Sequence, residues 1–193
     1  MFTSLLAWDA AAGRACAALA GWWPLDALMS AATVAGVHGA IWIAIGLVIA
    51  LRHRPQGVEG FARLAWSLLL AYVLVSLVLK PLVGRARPDV PAESRTAIAA
   101  WATARTSGHS FPSGHAALAA AGASALALMW PRRRALWWTL AGLVAFSRLY
   151  LGVHYPLDVG VGLVVGWAVA RVATGGAPCY ISRSANALQS VPR

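Results

Sequence analysis

Residues 62–79 read ARLAWSLLLAYVLVSLVL, eighteen positions with a single charge, Arg63, before Lys80 and Pro81. A stretch of that length and apolarity is what a helix needs to cross a bilayer core of roughly 30 Å at about 1.5 Å per residue. No soluble domain of ordinary composition devotes such a run to one segment, so this reading decides the class of fold. Proline disfavours helical geometry in the residue before it, which predicts that the helix ends at Lys80.

The pattern repeats on both sides. Residues 33–51 form an apolar run closed by Arg52, His53, Arg54 and Pro55. After it come 114–130, rich in Ala and Gly, then 135–148 and 156–174. Small residues permit close helix approach within a membrane. Over the 193 residues, 60% are hydrophobic and 11% charged, too little polar surface for a soluble protein of this length. The expectation is an all-α, polytopic membrane helix bundle. Five or six transmembrane helices are expected, depending on whether the first 30 residues lie in the interface as an amphipathic helix or span. Asp9, Arg14 and Asp26 interrupt their apolar pattern, and Trp8, Trp22 and Trp23 suit a membrane–water boundary, which favours the interfacial helix. The organisation is then 1–30 as that helix, 31–175 as the membrane domain, and 176–193 as a polar, flexible cytoplasmic tail. No cationic start or small-residue cleavage site marks a removable signal peptide.

Sixteen Lys plus Arg face six Asp plus Glu. In a soluble chain that excess would suggest nucleic acid. Here it sits in short loops between apolar runs, where the bias of basic residues to the cytoplasmic side explains most of it. Arg52, Arg54, Arg63, Arg132, Arg133, Arg134, Arg171, Arg183 and Arg193 fall on that side. Loop parity places Lys80, Arg85, Arg87, Arg95, Arg105 and Arg148 together on the outer side, with the polar stretch 82–112 that also holds Asp89, Glu93 and His109. Cys16 and Cys179 match no metal or redox spacing.

Three outer segments carry chemistry: Lys80 to Pro88, Pro112-Ser113-Gly114-His115, and Ser147-Arg148 followed by His154 and Asp158. Lys80, the chain's one lysine, with Arg87 and Arg148 stands at the mouths of spans. Converging cations repel unless an anion sits between them, and phosphate suits both the forked guanidinium and the point-charge ammonium. Snorkelling toward headgroups explains any one of the three, but poorly the set. Ser113 is a favoured helix N-cap, and the helix start at Gly114 is a ready anion site. His154 and Asp158 are four apart, so the carboxylate can hold one ring nitrogen and leave the other's lone pair exposed, a good nucleophile toward phosphorus. The outer loops otherwise offer only Asp89 and Glu93 as carboxylates, thin for a magnesium site. No metal and no cofactor is expected.

These three segments resemble, complete and in order, the signature motifs of the type 2 phosphatidic acid phosphatase superfamily. The resemblance spans about residues 33–174. It implies that His154 forms a phosphohistidine, that His115 is the general acid for the departing oxygen, and that Asp158 orients His154. It implies that Lys80, Arg87, Arg148, Ser113 and the Gly114 backbone N–H bind phosphate, and that no metal is needed. Arg85 and His109 are not motif positions and carry only a loop role. The superfamily also contains vanadium-dependent haloperoxidases, which the multiple spans and short length argue against, and a non-catalytic lipid-phosphate binding or transport protein would leave both histidines idle. The implied partner is a lipid-phosphate substrate in the bilayer, not nucleic acid. The chain is similar to small bacterial members that act on undecaprenyl diphosphate at the outer face of the cytoplasmic membrane; phosphatidic acid and phosphatidylglycerophosphate are the alternatives. The motifs read only the phosphate, and oligomeric state leaves no trace in one sequence.

Overall fold

A computed structural model describes residues 2–53, 55–89 and 108–175. Arg54, Glu93, Arg95, Arg105, Cys179, Arg183, Arg193 and the tail 176–193 lie outside the described residues. The described residues are helical with short connections: α1 Phe2–Ala17, α2 Trp23–Ala35, α3 Ala40–Arg52, α4 Gln56–Val83, α5 Gly114–Met129, α6 Arg134–Tyr150 and α7 Pro156–Ala173.

The centre is α5. Its residues from Ala116 to Leu126 are buried on every side, as a helix apolar all round should be. Side chains of one or a few carbons let the neighbours close in. A Cβ on Gly162 of α7 would stand 2.6 Å from the Ser113 carbonyl oxygen, and one on Gly166 would overlap the Ala117 carbonyl. Backbone contact of this kind fixes α7 against the start of α5. On the other flank, Trp42 of α3 is fully buried against Gly122.

Length and apolarity suit Gln56–Val83 and Pro156–Ala173 to crossing a bilayer; Gly114–Met129 is apolar but shorter. Large apolar side chains are displayed outward along these helices, among them Leu77 at 62%, Leu82 at 78% and Val164 at 63% exposed. Such an exterior suits lipid rather than water.

Two sequence expectations are corrected. The run 33–51 is not one straight span. Trp23–Ala35 and Val37–Arg52 meet at a 56° bend, because His38 (φ 49°) and Gly39 (φ 76°) adopt left-handed conformations in succession, which a right-handed helix cannot contain. Thr33 thus belongs to α2, which runs across residue 30. Nor does Pro81 stop the second span. Lys80 stays helical (φ −64°, ψ −50°), and the chain turns on to Val83 before Gly84 closes it at φ 65°. Val73–Leu79 is wound as a π-helix, with the Lys80 N–H donated to the Val75 carbonyl five residues back. The wider turn displaces the carbonyl that a proline ring meets in a regular helix.

Candidate active site

The C-terminal ends of α4 and α6 and the N-terminal ends of α5 and α7 meet at one end of the bundle, and the three chemical segments meet there with them. Ser113 caps α5, its Oγ accepting from the Ala116 N–H at 3.4 Å. The Ser113 N–H donates to the Asp158 carbonyl at 2.9 Å, tying the start of α5 to the first turn of α7. Pro156 occupies that first turn, where its missing N–H costs nothing.

Asp158 is fully buried, and both its oxygens are engaged. Oδ2 is 3.3 Å from His154 Nδ1 and accepts the Tyr155 N–H at 2.9 Å. Oδ1 accepts from Arg85 Nη1 at 2.7 Å. With the carboxylate on Nδ1, the proton belongs on that nitrogen and the lone pair on Nε2. Nε2 is 3.3 Å from Arg87 Nη1, which also donates to the Val153 carbonyl at 2.9 Å. Arg87 Nε donates to the Gly108 carbonyl at 3.1 Å and Nη2 to that of His109 at 3.4 Å.

Burial pushes the His154 imidazole down to about 4; the hydrogen bond to Asp158 opposes this, and Arg148 and Arg87 reinforce it. The ring is therefore neutral across the physiological range. Burial also draws the Arg87 guanidinium below its ordinary value, with Asp158 opposing.

Arg148 is fully buried near the C-terminal end of α6. Its Nη1 donates to the Thr33 hydroxyl at 2.9 Å. That hydroxyl lies 2.6 Å from Ser147 Oγ, which donates to the Val144 carbonyl at 2.7 Å. Arg148 Nε and Nη2 find no partner among the described residues, and neither does His115 Nε2. His115 is hydrogen-bonded to the Thr33 backbone and lies within coulombic reach of Arg148, His154 and Lys80. Lys80 in turn faces Arg87, Arg148 and Asp158. Three cations, a neutral imidazole and a second histidine with a bare nitrogen thus gather at this end of the bundle. The two Arg148 nitrogens are buried donors without acceptors, which are rare and costly; a tetrahedral oxyanion would satisfy them.

A model of the PAP2 superfamily matches residues 60–177, more than half of the chain. The chain belongs to the PAP2 superfamily. All the expected site residues fall inside the PAP2 match. Relatives include the phosphatidylglycerophosphatase B of Escherichia coli, 44% identical over 77 residues, covering 36% of this chain and 30% of that protein. The lipid A 1-phosphatase of Rhizobium johnstonii is 38% identical over 97 residues, covering 48% and 38%. The decaprenylphosphoryl-5-phosphoribose phosphatase of Mycobacterium tuberculosis is 38% identical over 100 residues, covering 51% of each. The matched regions thus span about a third to a half of these relatives' own length. Two crystal structures share the fold: LpxE of Aquifex aeolicus, TM-score 0.65 and 26% identity over 84% of this chain and 92% of that one, and a transmembrane PAP2-type phosphatidylglycerolphosphate phosphatase of Bacillus subtilis, TM-score 0.66 and 25% identity over 90% and 86%. With its apolar spans, this PAP2 chain is an integral membrane protein.

Against the sequence reading, His154 contacts both Asp158 and Arg87, while Lys80, Arg148 and His115 lie within coulombic reach of this group. The Ser113 N–H is occupied by the Asp158 carbonyl, so of this pair only its hydroxyl and the Gly114 N–H are placed to serve an anion. Arg85 is the correction: far from a bare loop residue, it bridges Asp158 and Asp9, donating to Asp9 Oδ2 from Nη2 at 2.6 Å. Asp9 and Thr33 were missed altogether. The available signal was polarity inside otherwise apolar helices, which marks a functional neighbourhood more often than not.

Proposed function

We propose that this protein hydrolyses a lipid phosphate or diphosphate without a metal, through a phosphohistidine on His154. The observation that carries the reading is the buried Arg148 with two donor nitrogens unmatched, beside the unmatched His115 Nε2 and the neutral His154. Lys80, Arg87 and Arg148 hold the phosphoryl oxygens, helped by the Ser113 hydroxyl and the Gly114 N–H. The phosphate anion enters with a proton on His115 Nε2; His154 Nε2 attacks phosphorus in line, the bond to the lipid oxygen breaks, and His115 passes that proton to the departing oxygen. Asp158 holds Nδ1–H and balances the charge of the phosphorylated ring. Water then attacks phosphorus, His115 takes its proton, the bond from phosphorus to His154 Nε2 breaks, and inorganic phosphate leaves. The cations stabilise charge spread over the equatorial oxygens.

The lipid is undecaprenyl diphosphate in this reading, with the site on the outer face of a bacterial cytoplasmic membrane, as the placement of basic loops suggests. An undecaprenyl-diphosphatase of Sulfolobus acidocaldarius is among the relatives, 43% identical over 63 residues. The identity with Escherichia coli phosphatidylglycerophosphatase B favours phosphatidylglycerophosphate as a second reading. Phosphate release by detergent-purified protein in excess EDTA decides between them, comparing undecaprenyl diphosphate, phosphatidic acid and phosphatidylglycerophosphate. EDTA-resistant release with preference for the diphosphate is expected. Release that needs a divalent cation, or none from any lipid, contradicts the proposal.

A further inference from the structure

Arg85 sits inside the Lys80-to-Pro88 element at a position without an assigned role. Asp9 lies on α1, outside the matched region 60–177. A line of contacts joins both to the nucleophile: Asp9 Oδ2 to Arg85 Nη2 at 2.6 Å, Arg85 Nη1 to Asp158 Oδ1 at 2.7 Å, and Asp158 Oδ2 to His154 Nδ1 at 3.3 Å. The other oxygen of Asp9 accepts the Leu157 N–H at 2.8 Å, in the first turn of α7. The guanidinium of Arg85 also lies over the Tyr155 ring, 3.9 Å from its centroid. Both carboxylates are fully buried, and the Arg85 side chain is 20% exposed.

We propose that Asp9 and Arg85 are positioning residues, a clamp by which α1 fixes the rotation of the Asp158 carboxylate and sets how much of its charge His154 experiences. This rests on the reading of His154 as nucleophile. Rotation follows from geometry: with Oδ1 held by Arg85, Oδ2 is directed at the imidazole and the Tyr155 N–H. The charge follows from the order of the groups. Arg85 alone beside Asp158 would cancel much of its field. Asp9, on the far side of the guanidinium, offsets Arg85, so the three groups together carry one negative charge at the end facing the imidazole. The other groups facing His154 are Arg87 from the segment after α4, Arg148 from α6 and His115 from α5, with Lys80 of α4 behind them. Removing Asp9 exposes His154 to a further uncompensated cation and makes it a weaker base. Removing Arg85 leaves two buried carboxylates with no cation between them.

The test is steady-state phosphate release in EDTA across pH, for the wild type, Asp9→Asn, Arg85→Met, the double variant and Asp26→Asn. Asp26 accepts from the Tyr150 hydroxyl at 2.6 Å and ties the same N-terminal segment to α6 without touching Arg85. Asp9→Asn is expected to lower kcat about tenfold or more with KM within about twofold, the pattern of an interaction acting in the transition state, and to move the acid limb to lower pH. Arg85→Met is expected to lower kcat and move the limb to higher pH. The double variant should lose less than the product of the single losses, as coupled neighbours do. Asp26→Asn should lower Tm while leaving kcat and the pH profile in place. If Asp9→Asn does not fold, Asp9→Glu replaces it, with kcat within a few-fold of wild type, as expected of coupled neighbours that keep their charge, and an unmoved limb. Unchanged kcat and pH profile in folded Asp9→Asn, a tenfold loss in Asp9→Glu, or the same pH shift in Asp26→Asn overturns the clamp. Wild-type release that survives His154→Ala is a different failure: it removes the nucleophile reading, and the clamp with it.

Discussion

His154 is where sequence and environment combine. Its i+4 spacing to Asp158 is visible in the chain, but its burial is not, and burial is what holds the imidazole down to about 4. In the proposed mechanism the attacking form is the neutral ring, which dominates above that value and is lost below it. In the free enzyme kcat/KM is therefore expected to hold down to about pH 5 and to fall as pH drops through about 4, rather than to halve near the ordinary histidine value of about 6.5. A pH profile of kcat/KM that halves on the acid side near 6.5 would mean a solvated ring. His115 admits a second prediction. A general acid matters most when the leaving group is a poor one. His115→Ala is expected to cost about 10²–10⁴-fold on a lipid monophosphate, whose leaving group is an alkoxide, and clearly less on a lipid diphosphate, which expels a phosphate. Side-by-side kcat/KM values on the two substrates check it. At this scale the motif residues were legible because each has a chemical reason at its spacing. Arg85, Asp9 and Thr33 were not, because their importance lies in partners 73, 76 and 114 residues away along the chain.

Among the elements, the contact of α5 with α7 carries the site. It brings Ser113 to the Asp158 carbonyl and depends on the missing side chains at Gly162 and Gly166. Gly166→Val forces a branched side chain against the Ala117 carbonyl, an overpacking cost of about 1–3 kcal/mol. It is expected to lower Tm in detergent and to reduce turnover by displacing His154 and Asp158 from the cations of α4 and α6. Turnover per folded molecule equal to wild type would show that the site tolerates a shift of α7. Apolar length and turn residues predicted α5, α6 and α7 nearly to the residue. They failed at 33–51 and at Lys80–Pro81, where the break rests on two left-handed residues and the continuation on a π-helical stretch. Neither feature has a periodicity to read.

At the scale of the whole molecule, the proposed orientation rests on the charge distribution. Arg132, Arg133 and Arg134 sit at the end of the bundle opposite to the site, and in our proposal the positive-inside rule assigns that end to the cytoplasm. With Cys16 and Cys179 replaced by serine, a cysteine introduced at exposed Asp89 is expected to react with a membrane-impermeant maleimide in intact cells. One at Arg132 should react only after permeabilisation. The reverse pattern would turn the site inward and remove the case for an outer-leaflet substrate. The helical class and its membrane setting were readable from apolar length and scarce charge. The way α1 and α2 fold back over the site was not, since Asp9 and Asp26 look in sequence like interruptions of an interfacial helix and prove to be fully buried ties to α7 and α6.

The central claim is the phosphoenzyme on His154, and trapping it is the most direct measurement. The purified protein, in EDTA, is mixed with a lipid substrate labelled with ³²P in the phosphoryl group that is transferred, quenched within the first turnovers, and mapped by peptide mass spectrometry. The expected result is an acid-labile, base-stable phosphate on the peptide containing His154, absent from His154→Ala. Active enzyme that turns over labelled lipid with no phosphate on that peptide, or with the label on another residue, would contradict it.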